Sequence, residues 1–126
     1  MQTKLLYLSD LKFNLEVWKR ELKFHISEMH EFEEKLEDIA SRELGNDVMA
    51  SLEVYQNKII REREVIGQLL QRIRKKRRIV ENADISEELD GRLRAEQHPI
   101  RDDMKTYIKL HYDLKEELMD FFLKYL

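Results

Sequence analysis

The chain of 126 residues has the size of one domain, and we treat residues 1–126 as a single unit. Its 39% charged and 42% hydrophobic residues, with three Gly and one Pro, are typical of long amphipathic helices rather than sheets. The net charge of −3 is too small to favour nucleic acid or anionic membranes globally, and the lack of cysteine excludes disulfides, thiolate catalysis and cysteine-based zinc sites. The sequence has neither a signal-peptide pattern nor an apolar run of the ~20 residues that span a bilayer, so we expect a soluble cytoplasmic protein.

The first predicted helix runs from near Leu5 or Ser9 to about Arg42. Its apolar residues alternate spacings of three and four, which is the pattern of a helix that buries one seam in a bundle. These residues are Leu8, Leu11, Leu15, Trp18, Leu22, Met29, Phe32, Leu36 and Ile39. His25 occupies the one seam slot that is not apolar.

Gly45 suits the left-handed residue that follows a helix end, and Asn46 or Asp47 suits the next N-cap.

The second predicted helix runs from about Asp47 to about Val80. Its seam residues are Val48, Leu52, Tyr55, Ile59, Ile66, Leu69, Ile73 and Val80, with Glu62 and Lys76 in polar slots. Because the link at residues 45–47 is short, the second helix must fold back against the first.

Residues 81–98 predict a short helical or irregular segment before the third helix. Proline disfavours a helical residue before it and suits the first helical position, so we place the third helix from Pro99 to the end of the chain. Its seam residues are Ile100, Met104, Tyr107, Leu114, Leu118, Phe121 and Tyr125, and they surround His111.

These three stripes predict an all-α protein, an antiparallel three-helix bundle with coiled-coil-like heptads. In length and layout the chain resembles a spectrin-type three-helix unit, including a tryptophan, Trp18, in the seam of the first helix. The resemblance concerns architecture alone and implies no function.

The polar slots of the seams are predicted to meet in one buried layer. Pairing about the Gly45 turn sets Ile39 level with Val48, and therefore His25 level with Glu62. If the third helix ends flush with this hairpin, His111 falls beside both.

The predicted layer of His25, Glu62 and His111 has three interpretations. We favour a hydrogen-bonded cluster that fixes the assembly of the bundle. The first alternative is a metal site for iron or zinc, in which Glu21 would support His25 from outside the ligand set, although the usual Glu-x-x-His motif of bundle metal sites is absent. The second alternative is that one or more of these residues point to solvent. A direct ion pair with Glu62 is expected to raise the pKa of His25.

The basic run at residues 72–78 is the candidate for contact with nucleic acid or an acidic partner. The proposed contact residues are Arg74, Lys75, Arg77 and Arg78. No aromatic platform or known binding motif accompanies them, so a solvated helix end that pairs with neighbouring acidic residues is the favoured interpretation. Lys76, in a seam slot, is expected to extend its amine into water.

Apolar residues outside the seams predict a partner surface on the first and third helices. They are Phe13, Val17, Phe24, Ile108, Tyr112, Met119 and Phe122. We expect a non-enzymatic interaction or assembly module, with a protein partner or a homodimer, no cofactor and no membrane contact. No grouping of catalytic residues opposes this expectation. The alternative is that residues 81–98 fold over one of these strips.

Overall fold

Three long helices form the protein in the computed structural model, which describes the backbone of residues 2–83 and 87–126 and the side chains of residues 10–83 and 91–126. Helix α1 spans Gln2–Ala40, α2 spans Asn46–Glu81 and α3 spans Glu87–Tyr125. Each helix packs against both of the others, and the described residues include no strand. The predicted all-α, three-helix architecture is confirmed.

The core consists of the apolar seam residues of all three helices. Leu15, Leu22 and Met29 of α1 are fully enclosed, and so are Ile59 of α2 and Leu118 of α3. Each residue of this size contributes ~1.5–3 kcal/mol when it leaves water, so packing rather than helix propensity stabilises the helices. Three aromatic seam residues are half-buried and pack against this core: Trp18, Tyr55 and Tyr125. The predicted seam residue Leu8 lies outside the described side chains.

Contacts between α1 and α3 keep a nearly constant offset in sequence. Hydrogen bonds join positions 82 apart at His25 and Tyr107, and positions 83 apart at Arg42 and Tyr125. Along these contacts, a residue of α1 therefore lies beside a residue of α3 that is 82 or 83 positions later in the sequence. Ion pairs to α2 bring together Glu16 with Arg77 and Glu33 with Arg63.

Helix α3 begins earlier than the sequence predicted. The helix starts at Glu87, and Pro99 lies inside it rather than at its first position. An interior proline costs ~3 kcal/mol, so other contacts must offset that cost. Leu93 is fully buried in a small cluster with Leu11 and Val80, and Ile100 joins the main core. Residues 93, 97, 100 and 104 keep the seam spacing across the proline, and this packing extends the helix.

The link between α1 and α2 uses two residues with positive φ. Gly45 has φ 117°, where glycine is favoured, and it occupies the N-cap position of α2 without a side-chain hydrogen bond. The predicted capping roles of Asn46 and Asp47 are wrong, because α2 already includes both residues. Glu43, with φ 52°, adopts the left-handed conformation beside the end of α1. The Arg42 guanidinium donates hydrogen bonds to the carbonyls of Tyr125 and Leu126 and so ties this link to the end of α3.

Candidate functional site: a buried polar layer

Six polar side chains meet at mid-height of the bundle and form what we call the polar layer. They are His25 and Glu28 of α1, Glu62 of α2, and Tyr107, His111 and Lys115 of α3. Both histidines are completely enclosed, and their rings stack with centroids 3.8 Å apart and planes 12° apart. Two imidazoles at this distance cannot both carry a charge without strong repulsion. Only one of the two histidines can therefore be protonated and charged at a time.

His111 is the charged member of the stack. Its Nδ1 lies 3.0 Å from Glu62 Oε2 and its Nε2 lies 3.2 Å from Glu28 Oε1. An ionised carboxylate only accepts hydrogen bonds, so both ring nitrogens donate and the ring is an imidazolium. Burial alone would lower the pKa of His111, but the hydrogen bonds to Glu62 and Glu28 outweigh burial and raise it above its ordinary value.

His25 is the neutral member of the stack. Its Nε2 donates to Glu21 Oε1 over 3.0 Å, and its Nδ1 accepts from the Tyr107 hydroxyl over 3.0 Å. Burial, and then the charge of His111, lower the pKa of His25. Burial also raises the pKa of the Tyr107 phenol, so its hydroxyl keeps the proton that it donates. The stack thus holds one charge, on His111.

Glu28 and Lys115 form the edge of the polar layer. The Lys115 amine donates a hydrogen bond to Glu28 Oε2, while the other carboxylate oxygen faces His111. Burial would raise the pKa of Glu28, but the hydrogen bonds from Lys115 and His111 lower it below its ordinary value. Because the Lys115 side chain is 31% exposed, its amine has a route to solvent.

The expected direct contact of His25 with Glu62 is wrong, and so is the expected rise in the pKa of His25. Glu62 pairs with His111, while His25 is bonded within its own helix to Glu21 and across to Tyr107. The pairing differs because α3 supplies the charged ring, which is the stronger donor for a carboxylate. The structure nevertheless brings His25, Glu62 and His111 together, at the level where a flush third helix would place His111.

Sequence reasoning missed Glu28, Lys115 and the polar role of Tyr107. Two simple signals mark them. Glu28 follows His25 by three residues and Lys115 follows His111 by four, spacings that place each pair on one helix face. A tyrosine in a buried seam needs a hydrogen-bond partner for its hydroxyl, so the presence of Tyr107 in the seam indicates a polar partner on a neighbouring helix.

Titration of the two histidines should separate them on either side of pH 6.5. A raised pKa for His111 means that its stabilisation is complete below 6.5 and is lost as pH rises through the folded value. The lowered pKa of His25 has the opposite effect on stability. The stabilisation from the neutral His25 is complete above pH 6.5 and is lost as pH falls, because the unfolded chain binds a proton at a higher pH than the folded chain does. The contribution of the pair to the free energy of unfolding therefore peaks near pH 6.5.

The measurement for this titration is histidine NMR. We expect a midpoint above 6.5 for His111 and below 6.5 for His25. The substitution Glu62→Gln should lower the His111 midpoint, because it removes a hydrogen bond that raises the pKa. Midpoints in the reverse order would contradict the assignment of the charge to His111.

The basic run at residues 72–78 is partly engaged in ion pairs within the protein. Arg77 bonds to Glu16 and Glu81, both at 3.1 Å. Lys76 is buried and its amine lies 3.0 Å from Glu96, so the expectation that it extends into water is wrong. The other proposed contact residues are exposed: Arg74, Lys75 and Arg78.

The predicted partner surface is partly exposed. Phe13, Val17 and Phe24 on α1 are 67%, 44% and 56% exposed, and Tyr112 and Met119 on α3 are 48% and 54% exposed. Ile108 and Phe122 are half-buried because they pack against the main core. The alternative was that residues 81–98 cover one of these strips. Within that segment, Glu81 ends α2, residues 87–98 belong to α3, and residues 84–86 lie outside the described part of the chain.

Comparisons with known proteins do not assign the chain to a family. No family model matches it, and neither the curated proteins nor the solved structures include a match. Within residues 2–83 and 87–126, no helix is long and apolar enough to cross a membrane.

Proposed function

We propose that the protein is a non-enzymatic assembly module that pairs with a second copy of itself through one face of α1. We call this face the α1 strip and define it as Phe13, Val17 and Phe24. The observation that carries the proposal is the exposure of two phenylalanines on this one face. The other three phenylalanines of the chain are buried or half-buried, so these two are exceptional.

The spacing of the α1 strip fits helix-to-helix packing. Steps of four and seven residues return to nearly the same direction on a helix, so the three side chains form a narrow line. A second copy that packs against this line would remove it from water, and each buried phenylalanine would contribute ~1.5–3 kcal/mol. A single exposed apolar residue such as Val54 needs no such explanation.

Charge supports a second copy as the partner. The α1 strip has the exposed Lys23 on one flank and the half-buried Glu21 on the other, so each copy offers both signs. Two copies can set the basic flank of one against the acidic flank of the other. The net charge of −3 opposes such pairing only weakly.

Light scattering over a concentration series tests this proposal. The mass of the natural protein is expected to double as concentration rises, and the double substitution F13E/F24E should hold it at the monomer mass. Val54→Glu is the matched control, because Val54 is 52% exposed on α2 and lies outside the α1 strip. A natural protein that stays monomeric throughout would overturn the proposal, as would a control that abolishes pairing equally.

Contact of the basic run with nucleic acid has less support. Arg77 and Lys76 already hold carboxylate partners, which leaves a short exposed set at positions 74, 75 and 78. Phosphate binding would weaken steeply with salt and would disappear when Arg74, Lys75, Arg77 and Arg78 are neutralised.

A further inference from the structure

We propose that the polar layer binds one divalent transition-metal ion, with His25, Glu28 and His111 as its protein ligands. One ring nitrogen of each histidine and a carboxylate oxygen of Glu28 already lie within 4.8 Å of one another. Two imidazoles and a carboxylate form the ligand set of open zinc sites, in which water or another small ligand takes the fourth position. The site is independent of the α1 strip.

The distances require only a modest rearrangement of side chains. Zinc–ligand bonds of ~2.0–2.1 Å in a tetrahedral site separate neighbouring ligand atoms by roughly 3.4 Å, so a pair separated by the full 4.8 Å must approach by roughly 1.4 Å. His25 and Glu28 share one face of α1, three residues apart, and His111 faces them from α3. A metal lies in the plane of each imidazole that binds it, so the two rings, now parallel at 12°, must turn out of their stack to bind one ion.

The hydrogen bonds around the proposed ligands suit a metal. A ligating histidine usually donates its second ring N–H to a carboxylate or another oxygen, which orients the ring. When Nε2 of His111 binds the ion beside Glu28, its Nδ1 keeps the hydrogen bond to Glu62. His25 retains Glu21 or the Tyr107 hydroxyl as the partner of its other nitrogen.

Metal binding would leave the total positive charge beside the carboxylates of the polar layer unchanged. Without an ion, two positive charges compensate the carboxylates, namely the extra proton of His111 and the ammonium of Lys115. A divalent ion supplies the same two charges at once. Binding then releases the His111 proton to solvent, and the partly exposed Lys115 side chain moves away from Glu28.

Cobalt(II) is the probe, because its visible absorption reports ligation and its affinity can be titrated. We expect the chain, purified without a histidine tag, to bind one equivalent of Co²⁺, which Zn²⁺ displaces. Glu28→Gln should abolish the visible bands, and Glu62→Gln should weaken binding by about 10- to 100-fold through the orientation of His111. Affinity should fall as pH is lowered, because the ion competes with the His111 proton.

Lys115→Met separates a metal site from a purely structural cluster. This substitution removes the cation that competes for Glu28, so Co²⁺ should bind more tightly than to the natural protein. His30→Ala is the matched control, since His30 and Glu34 form an exposed pair 3.3 Å apart that is also capable of weak metal binding. Absence of a stoichiometric site in the natural protein, or loss of binding in the His30→Ala control rather than in Glu28→Gln, would overturn the proposal.

Discussion

Replacement of His111 by leucine should destabilise the protein by about 3–5 kcal/mol, although leucine is apolar like most other seam residues of α3. The natural ring lies between Glu28 and Glu62 and is completely buried. Its removal leaves the Glu62 carboxylate, whose side chain is only 13% exposed, without its hydrogen bond from His111. An uncompensated buried charge costs more than a leucine side chain gains. Urea unfolding followed by circular dichroism measures the effect.

Two further variants test whether the stability loss at His111→Leu comes from the unpaired Glu62 carboxylate. His30→Leu replaces an exposed histidine and should change stability by less than about 0.5 kcal/mol. The double substitution H111L/E62L removes the stranded carboxylate as well, and it should recover part of the loss. A loss at His111→Leu no greater than that at His30→Leu would contradict the charged arrangement of the polar layer.

Replacement of Leu93 by alanine should cost about 2–5 kcal/mol. Leu93 is fully buried against Leu11 and Val80, so the smaller side chain leaves a cavity where all three helices meet. This site also carries the packing that extends α3 ahead of Pro99. Besides lower stability in urea, we expect faster amide hydrogen exchange in the first turns of α3.

Leu110→Ala is the matched control for Leu93→Ala. It makes the same substitution in the same helix at a residue that is 58% exposed. Its cost should stay within about 0.5 kcal/mol. Equal effects at the two positions would mean that the early part of α3 does not pack as described.

The seams were predictable because a helix repeats its faces regularly along the chain. Leu15, Ile59 and Leu118, predicted from spacing alone, are fully buried. The start of α3 was not predictable, because the local signal of Pro99 opposes helix continuation there. The contact of Leu93 with Leu11 and Val80 outweighs that signal, and it joins residues far apart in sequence.

The polar layer was predictable in membership but not in pairing. Seam spacing singled out His25, Glu62 and His111, since each interrupts an apolar pattern. Spacing does not reveal which donor a carboxylate prefers, and that choice depends on charge and burial in three dimensions. It also overlooks Glu28 and Lys115, which lie beside the seam and contribute through long side chains.

The polar layer has a consequence for how the helices find their alignment during folding. A purely apolar seam tolerates a slide of seven residues, because each slide returns leucine-like residues to leucine-like neighbours. A slide of α3 by seven residues would bring Met104 or Leu118 to the level of His25 and strand the Glu62 carboxylate among apolar groups. A misaligned bundle would therefore be less stable, because only one alignment pairs the buried charges of the polar layer with each other.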